Sequence, residues 1–175
     1  MQIFVSGVWK EDKARPYSAL GFKLGMLIAQ AGFDLACGPG TGIARYVVDG
    51  YRSIEPRGVV RFYLPELEEM TKIGEIVGLG ADEVIDTGLD YPMSNVYQVK
   101  QSSALFILTG GDGTLEEAIA ALAEYRIPVA ALQGAGTAVI ALERLVEIYP
   151  IWGELLFIHE DVDVLFERLR ASLNT

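Results

Sequence analysis

The stretch Ala104-Leu105-Phe106-Ile107-Leu108-Thr109-Gly110-Gly111-Asp112-Gly113-Thr114-Leu115-Glu116-Glu117 decides the fold. Its first five residues are apolar at every position, so both faces need cover, as in a parallel strand wrapped by helices. The glycines end that strand. From Thr114 onward Leu115, Ala118, Ile119, Leu122 and Arg126 fall on one stripe of helical period. Working outward, the same alternation fills the chain. Further strands are predicted at Ile3 to Val8, Phe33 to Cys37, Val59 to Leu64, Glu83 to Asp86, Val129 to Leu132 and Leu155 to Ile158. Helices are predicted near Pro16 to Ala31, Gly42 to Tyr51, Pro92 to Ser102, Thr114 to Arg126, Ala135 to Tyr149 and Asp161 to Leu173. Glu66 to Gly78 is helix-like but interrupted by Gly74.

Alternating strands and helices with short connections predict an α/β fold, Rossmann-like and doubly wound. The expectation is a mainly parallel sheet of about seven strands with helices on both faces. No linker, low-complexity tract or repeat divides the 175 residues, so residues 1–175 read as a single domain. Ligands of such sheets bind beyond the carboxyl ends of the strands.

Composition narrows the partners. Half the residues are hydrophobic (51%), enough for one core. Lys plus Arg total 14 against 24 Asp plus Glu, a net charge of −10. That field repels nucleic-acid backbones and anionic membranes, so neither is expected as a partner. A small phosphate ligand is still admissible, because backbone N–H groups and one or two cations suffice to hold it. Cys37 is the only cysteine, which rules out an intrachain disulfide and a cysteine zinc cluster. His159, the only histidine, follows Leu155-Leu156-Phe157-Ile158 and reads as a structural or surface residue at the end of a peripheral strand rather than a base. No run approaches the roughly 18 apolar residues of a membrane span, and cytoplasmic residence is expected. No metal site and no cofactor are expected.

Two glycine turns carry the chemistry. The first is Cys37-Gly38-Pro39-Gly40-Thr41-Gly42-Ile43, between a strand and a helix. Gly38, Gly40 and Gly42 let the backbone approach a ligand, and with Thr41 they lead into a helix whose free N–H groups favour an anion. The spacing is neither the dinucleotide G-x-G-x-x-G nor the P-loop, and a tight turn without a ligand also fits. The second is Thr109-Gly110-Gly111-Asp112-Gly113-Thr114. Thr114 with Glu117 three residues on fits a capping box, and Glu116 and Glu117 complement the helix dipole. Capping leaves three glycines in four residues unexplained; two such turns facing one crevice point to an anion site.

The Gly110 to Glu117 segment resembles the P-G-G-x-G-T-x-x-E motif of the LONELY GUY (LOG) proteins, often mislabelled lysine decarboxylases, within the SLOG nucleotide-binding superfamily. The first turn is similar to their Gly-rich loop, and Gly50 falls where relatives usually carry a glycine. The resemblance runs in element order from about Ile3 to Leu132. It implies binding of a nucleoside 5′-monophosphate. In LOG enzymes it further implies hydrolysis of the N-glycosidic bond, with a phosphoribohydrolase glutamate stabilising oxocarbenium-like charge, here Glu117. Gly110, Gly111, Gly113 and Thr114 would supply phosphate-facing donors. No lysine stands in a setting for pyridoxal phosphate, so a decarboxylase is not expected. A homodimer is implied, with Met93, Val96 and Tyr97 as apolar residues for a partner or for the core.

Two departures from the family pattern matter. Thr109 replaces the motif proline. Ser94, 23 residues before Glu117, stands where LOG enzymes carry an arginine, and Ser94 lacks the guanidinium fork for phosphate. Asn95 fits a branch in which Arg-Asn is common there. Ser94 and Asn95 stay candidate ligand contacts, and Arg45 or Arg15 are the candidates to replace the arginine. Three readings follow: a nucleotide-binding protein without hydrolase activity, an active phosphoribohydrolase using Glu117, and a DNA-handling relative of the DNA-processing A protein, which the net charge disfavours.

Overall fold

The computed structural model describes residues 1–174. Seven strands form one sheet: β1 (Gln2–Ser6), β2 (Asp34–Cys37), β3 (Val60–Leu64), β4 (Glu83–Asp86), β5 (Ala104–Ile107), β6 (Val129–Leu132) and β7 (Leu156–His159). Their order is β4-β3-β2-β1-β5-β6-β7, and every neighbouring pair is parallel. The helices are α1 (Glu11–Ala14), α2 (Ser18–Gln30), α3 (Ile43–Arg52), α4 (Leu67–Ile73), α5 (Tyr91–Lys100), α6 (Asp112–Ile119), α7 (Thr137–Ile148) and α8 (Val162–Leu173). The two-residue period of each strand feeds two cores. Ile3 and Val5 pack with Leu35, Phe62 and Phe106 under α2, α3 and α8, while Phe4 joins Leu105, Ile107 and Ala131 under α5, α6 and α7. The continuous apolar run of β5 is thereby explained.

Several elements depart from their predicted bounds. The helix predicted from Pro16 is a short α1, a 3-10 turn over Arg15–Tyr17 and then α2. The segment near Gly74 is helical only to Ile73, because Gly74 takes the left-handed conformation (φ 74°) and ends α4. The helix predicted from Thr114 starts two residues earlier, at Asp112 with Gly111 as N-cap, and passes into a wider π turn over Ala120–Tyr125. Thr114 is therefore inside the helix, and no capping box forms. The buried stripe is also rotated: Thr114, Glu117, Ala118, Ala121 and Leu122 face inward, while Ile119 is exposed. Thr114 and Glu117 turn toward the sheet because each finds a hydrogen-bond partner there.

The glycine at position 50 acts through packing. A Cβ on Gly50 would lie 1.9 Å from the Phe22 carbonyl oxygen, and one on Gly25 would lie 1.9 Å from that of Val47. Backbone thus meets backbone where α2 crosses α3. His159 ends the edge strand β7 and its Nδ1 accepts from the Asp161 N–H, a structural placement. Among the described residues no helix is long and apolar enough to cross a membrane.

Candidate anion-binding site

In the strand order, β1 and β5 are adjacent although three strands and five helices separate them in sequence. The chain leaves β1 toward one face of the sheet and β5 toward the other, so their carboxyl ends open a crevice. A cavity of about 670 Å³ occupies it, a size suited to a small organic ligand. Both glycine turns reach it. Gly38, Gly40 and Thr41 of the first turn, and Gly111, Gly113 and Thr114 of the second, line the same cavity, together with Asn95 and Glu117.

The remaining sequence candidates lie off its wall. Gly42 and Gly110 are structural: a Cβ on Gly42 (φ 57°) would lie 2.2 Å from the Val8 carbonyl oxygen, and one on Gly110 would lie 2.2 Å from Thr114 Oγ1. They allow the turns to fold; they do not face the cavity. Ser94 is fully buried in α5, its Oγ without a partner among the described residues, and does not line the cavity. Arg45 is exposed, with its guanidinium 5.9 Å from the Tyr46 ring centroid, because the neighbouring Ala44 takes the cavity-facing position in α3. Arg15 is likewise exposed and off the wall. The cations that do line the cavity are Lys10 and Lys13, from the segment after β1, and Trp9 lies beside them.

Beneath the second turn sits a buried polar triplet. Ser6 Oγ, at the end of β1, lies 3.0 Å from Thr114 Oγ1 and also contacts Glu117 Oε2. Burial of the whole Glu117 side chain pushes its carboxyl up to about 8, against the lowering effect of the Ser6 hydrogen bond. At neutral pH the acid is therefore protonated. A serine hydroxyl carries one proton and cannot donate to both neighbours. When Ser6 donates to Glu117 it stabilises the carboxylate. When Glu117 is neutral its own O–H can donate to Ser6 instead, which frees the Ser6 proton for Thr114 and the Thr114 proton for an acceptor in the cavity.

A second acid closes the opposite wall. Glu75 follows α4 and is buried; its Oε1 accepts from Thr41 Oγ1 at 3.0 Å and its Oε2 from the Tyr91 hydroxyl. The segment that carries it is clamped on the first turn, since the Gly78 N–H donates to the Pro39 carbonyl at 2.7 Å. Burial raises the Glu75 carboxyl, and the two hydroxyl donors oppose that rise. Gln98, from α5, also lines the cavity and is buried, with Oε1 unpartnered among the described residues. Lys10, Lys13, Ser6, Glu75 and Gln98 escaped sequence reading. The segment after β1 was the one recoverable signal, because the connection after the first strand of such a sheet borders the crevice.

Comparison with known proteins agrees with the fold. The model of the SLOG cluster4 family matches residues 1–149. The molybdenum cofactor carrier protein of Chlamydomonas reinhardtii superposes with a TM-score of 0.80 at 22% identity, covering 99% of this chain and 98% of that one. The molybdenum cofactor binding protein of Rippkaea orientalis gives 0.73 at 22% identity, covering 98% and 95%. The structural-genomics target TM1055 gives 0.79 at 19% identity, covering 97% and 98%. Among curated proteins none matches the sequence.

Proposed function

Since the chain belongs to the SLOG cluster4 family, we propose that it binds a phosphorylated small molecule of the nucleoside 5′-monophosphate type and holds it without turnover. The observation that carries this reading is the Ser6–Thr114–Glu117 contact below the second turn. A neutral Glu117 aims the Thr114 proton at a phosphate oxygen, beside the N–H groups at the start of α6. Lys10 and Lys13 supply the local positive charge that the net charge of −10 otherwise denies to an anion. Two structural neighbours are named for carrying or binding a cofactor, which supports a binding role.

Loss of hydrolysis has a physical basis in two positions. An oxocarbenium-like transition state needs an ionised carboxylate, and Glu117 is held neutral below about 8. The arginine of LOG enzymes is absent, and the buried Ser94 offers no charge in its place. The second reading, an active phosphoribohydrolase, is favoured by one observation, that Glu117 lines the cavity. Incubation with GMP, IMP, AMP, CMP and UMP separates the two. Binding by calorimetry with no free base supports the carrier reading. Base release that disappears in Glu117→Gln supports the hydrolase.

A homodimer belongs to the same proposal. Helices α5 and α6 pack together and leave Met93 and Ile119 exposed, whereas Val96 and Tyr97 pack on the core. Light scattering that gives twice the 19.1 kDa chain mass supports it, and a monomer removes it.

A further inference from the structure

Glu75 poses a question that the phosphate site does not answer. A buried carboxylate costs free energy unless its oxygens are fully used. A carboxylate has about four acceptor positions; Thr41 and Tyr91 fill one on each oxygen, and no cation among the described residues pairs with it. A purely structural tie is already supplied by the Gly78–Pro39 backbone bond. The two hydroxyls instead fix the plane of a carboxylate that lines the cavity. Gln98 adds an independent sign of a missing partner. Its Oε1 is buried and unpartnered beside the same turn, 3.8 Å from where a Gly38 Cβ would be.

We propose that Glu75 is a specificity-determining residue that accepts two adjacent N–H donors from the ligand's ring, the donor edge of a 2-amino-4-oxopyrimidine. That edge is shared by guanine and by pterins. The inference rests on the reading that the cavity holds a phosphorylated ligand. Placement supports it: Glu75 adjoins the turn after β2 and the phosphate subsite adjoins the turn after β5, with β1 between them. Two strand spacings put the turns about 10 Å apart, the reach of a nucleoside monophosphate from phosphate to ring. Pro65, Ile73 and Pro92 line the same cavity and offer apolar surface for a ring face. Adenine offers a bare ring nitrogen where guanine offers N–H, so its lone pair opposes the carboxylate. Hypoxanthine keeps the ring N–H and loses the amino group.

Calorimetry at neutral pH with GMP, IMP, AMP and 6-hydroxymethylpterin phosphate tests this on the wild type and on Glu75→Gln. GMP or the pterin phosphate binds at least about tenfold tighter than AMP, with IMP weaker than GMP. In Glu75→Gln the ratio to AMP falls to within about twofold. Whichever of GMP and the pterin phosphate binds more tightly identifies the ring system, and either supports the proposal. Equal affinity for all four in the wild type overturns it and leaves phosphate binding standing. An unchanged ratio in Glu75→Gln also overturns it. Should that variant not fold, equal binding of GMP and IMP by the wild type overturns it. Failure of all four ligands and of inorganic phosphate to bind overturns both this inference and the proposed function.

Discussion

Ser6 Oγ lies 3.0 Å from Thr114 Oγ1, a hydrogen bond that spans 108 positions and ties the end of the first strand to the first turn of α6. The same Ser6 oxygen contacts Glu117. Three side chains from two elements thus form one proton path ending at the cavity. Replacing Ser6 by alanine cuts the path and leaves the Glu117 acid without a partner. Ser6→Ala is expected to weaken GMP binding about tenfold and to destabilise the fold by roughly 1–3 kcal/mol, the cost of an unsatisfied buried group. Calorimetry and urea unfolding check the two effects. Unchanged affinity would remove Ser6 from the site.

Glu117 also leaves a mark on stability. Its carboxyl is raised in the fold to about 8 from an ordinary 4.5. Between those values the folded chain keeps a proton that the unfolded chain releases. Stability therefore falls as pH rises through that window, by up to ~1.4 kcal/mol per pH unit for one proton, and levels off above it. In Glu117→Gln this component of the slope is absent. Urea unfolding across the window checks the prediction; parallel slopes in wild type and variant would contradict it.

The crossing of α2 and α3 is a third test. Gly50→Ala forces a Cβ against the Phe22 carbonyl, with 1.9 Å available. Overpacking of this kind costs about 1–3 kcal/mol, more where backbone is the obstacle. A lowered midpoint in thermal unfolding is expected. A neutral result would mean that the helices separate easily.

Charge near the cavity is separable residue by residue. Lys13→Met removes a lining cation and is expected to weaken GMP binding about three- to tenfold, with a flatter dependence on salt. Arg45→Met removes an exposed side chain that stacks by Tyr46 and leaves affinity unchanged. The reverse pattern in calorimetry would return the phosphate to the outer face of α3.

Why some features were legible in the sequence and others were not has a physical reason. Ala104 to Leu108 announced a strand covered on both faces, and β5 has both cores against it. Glycines marked both turns because the turns need close backbone approach, which local sequence displays. Thr114 misled: its spacing to Glu117 suits a cap, but a contact with Ser6, distant in sequence, decides its orientation. Arg45 misled for a related reason, since a place in the first turn of a helix does not say which face the residue takes. Glu75 left no local sign at all. Its meaning comes from Thr41 and Tyr91, which only the folded chain brings to it.

The central claim is that a neutral Glu117 orients the Thr114 hydroxyl toward a phosphate. Affinity for GMP measured against pH tests it most directly, from pH 7 upward, where the phosphate is already mostly a dianion (second pKa about 6). Trp9 lines the cavity and serves as the fluorescent reporter once Trp152 is changed to Phe. In that background affinity is expected to hold to about pH 8 and then to fall, by about tenfold in all, as one proton is lost and the path to Thr114 is cut. With Glu117→Gln added, whose amide keeps a donor toward Ser6, affinity stays level across the range. Affinity that is flat or rising with pH while Glu117 is present would contradict the account.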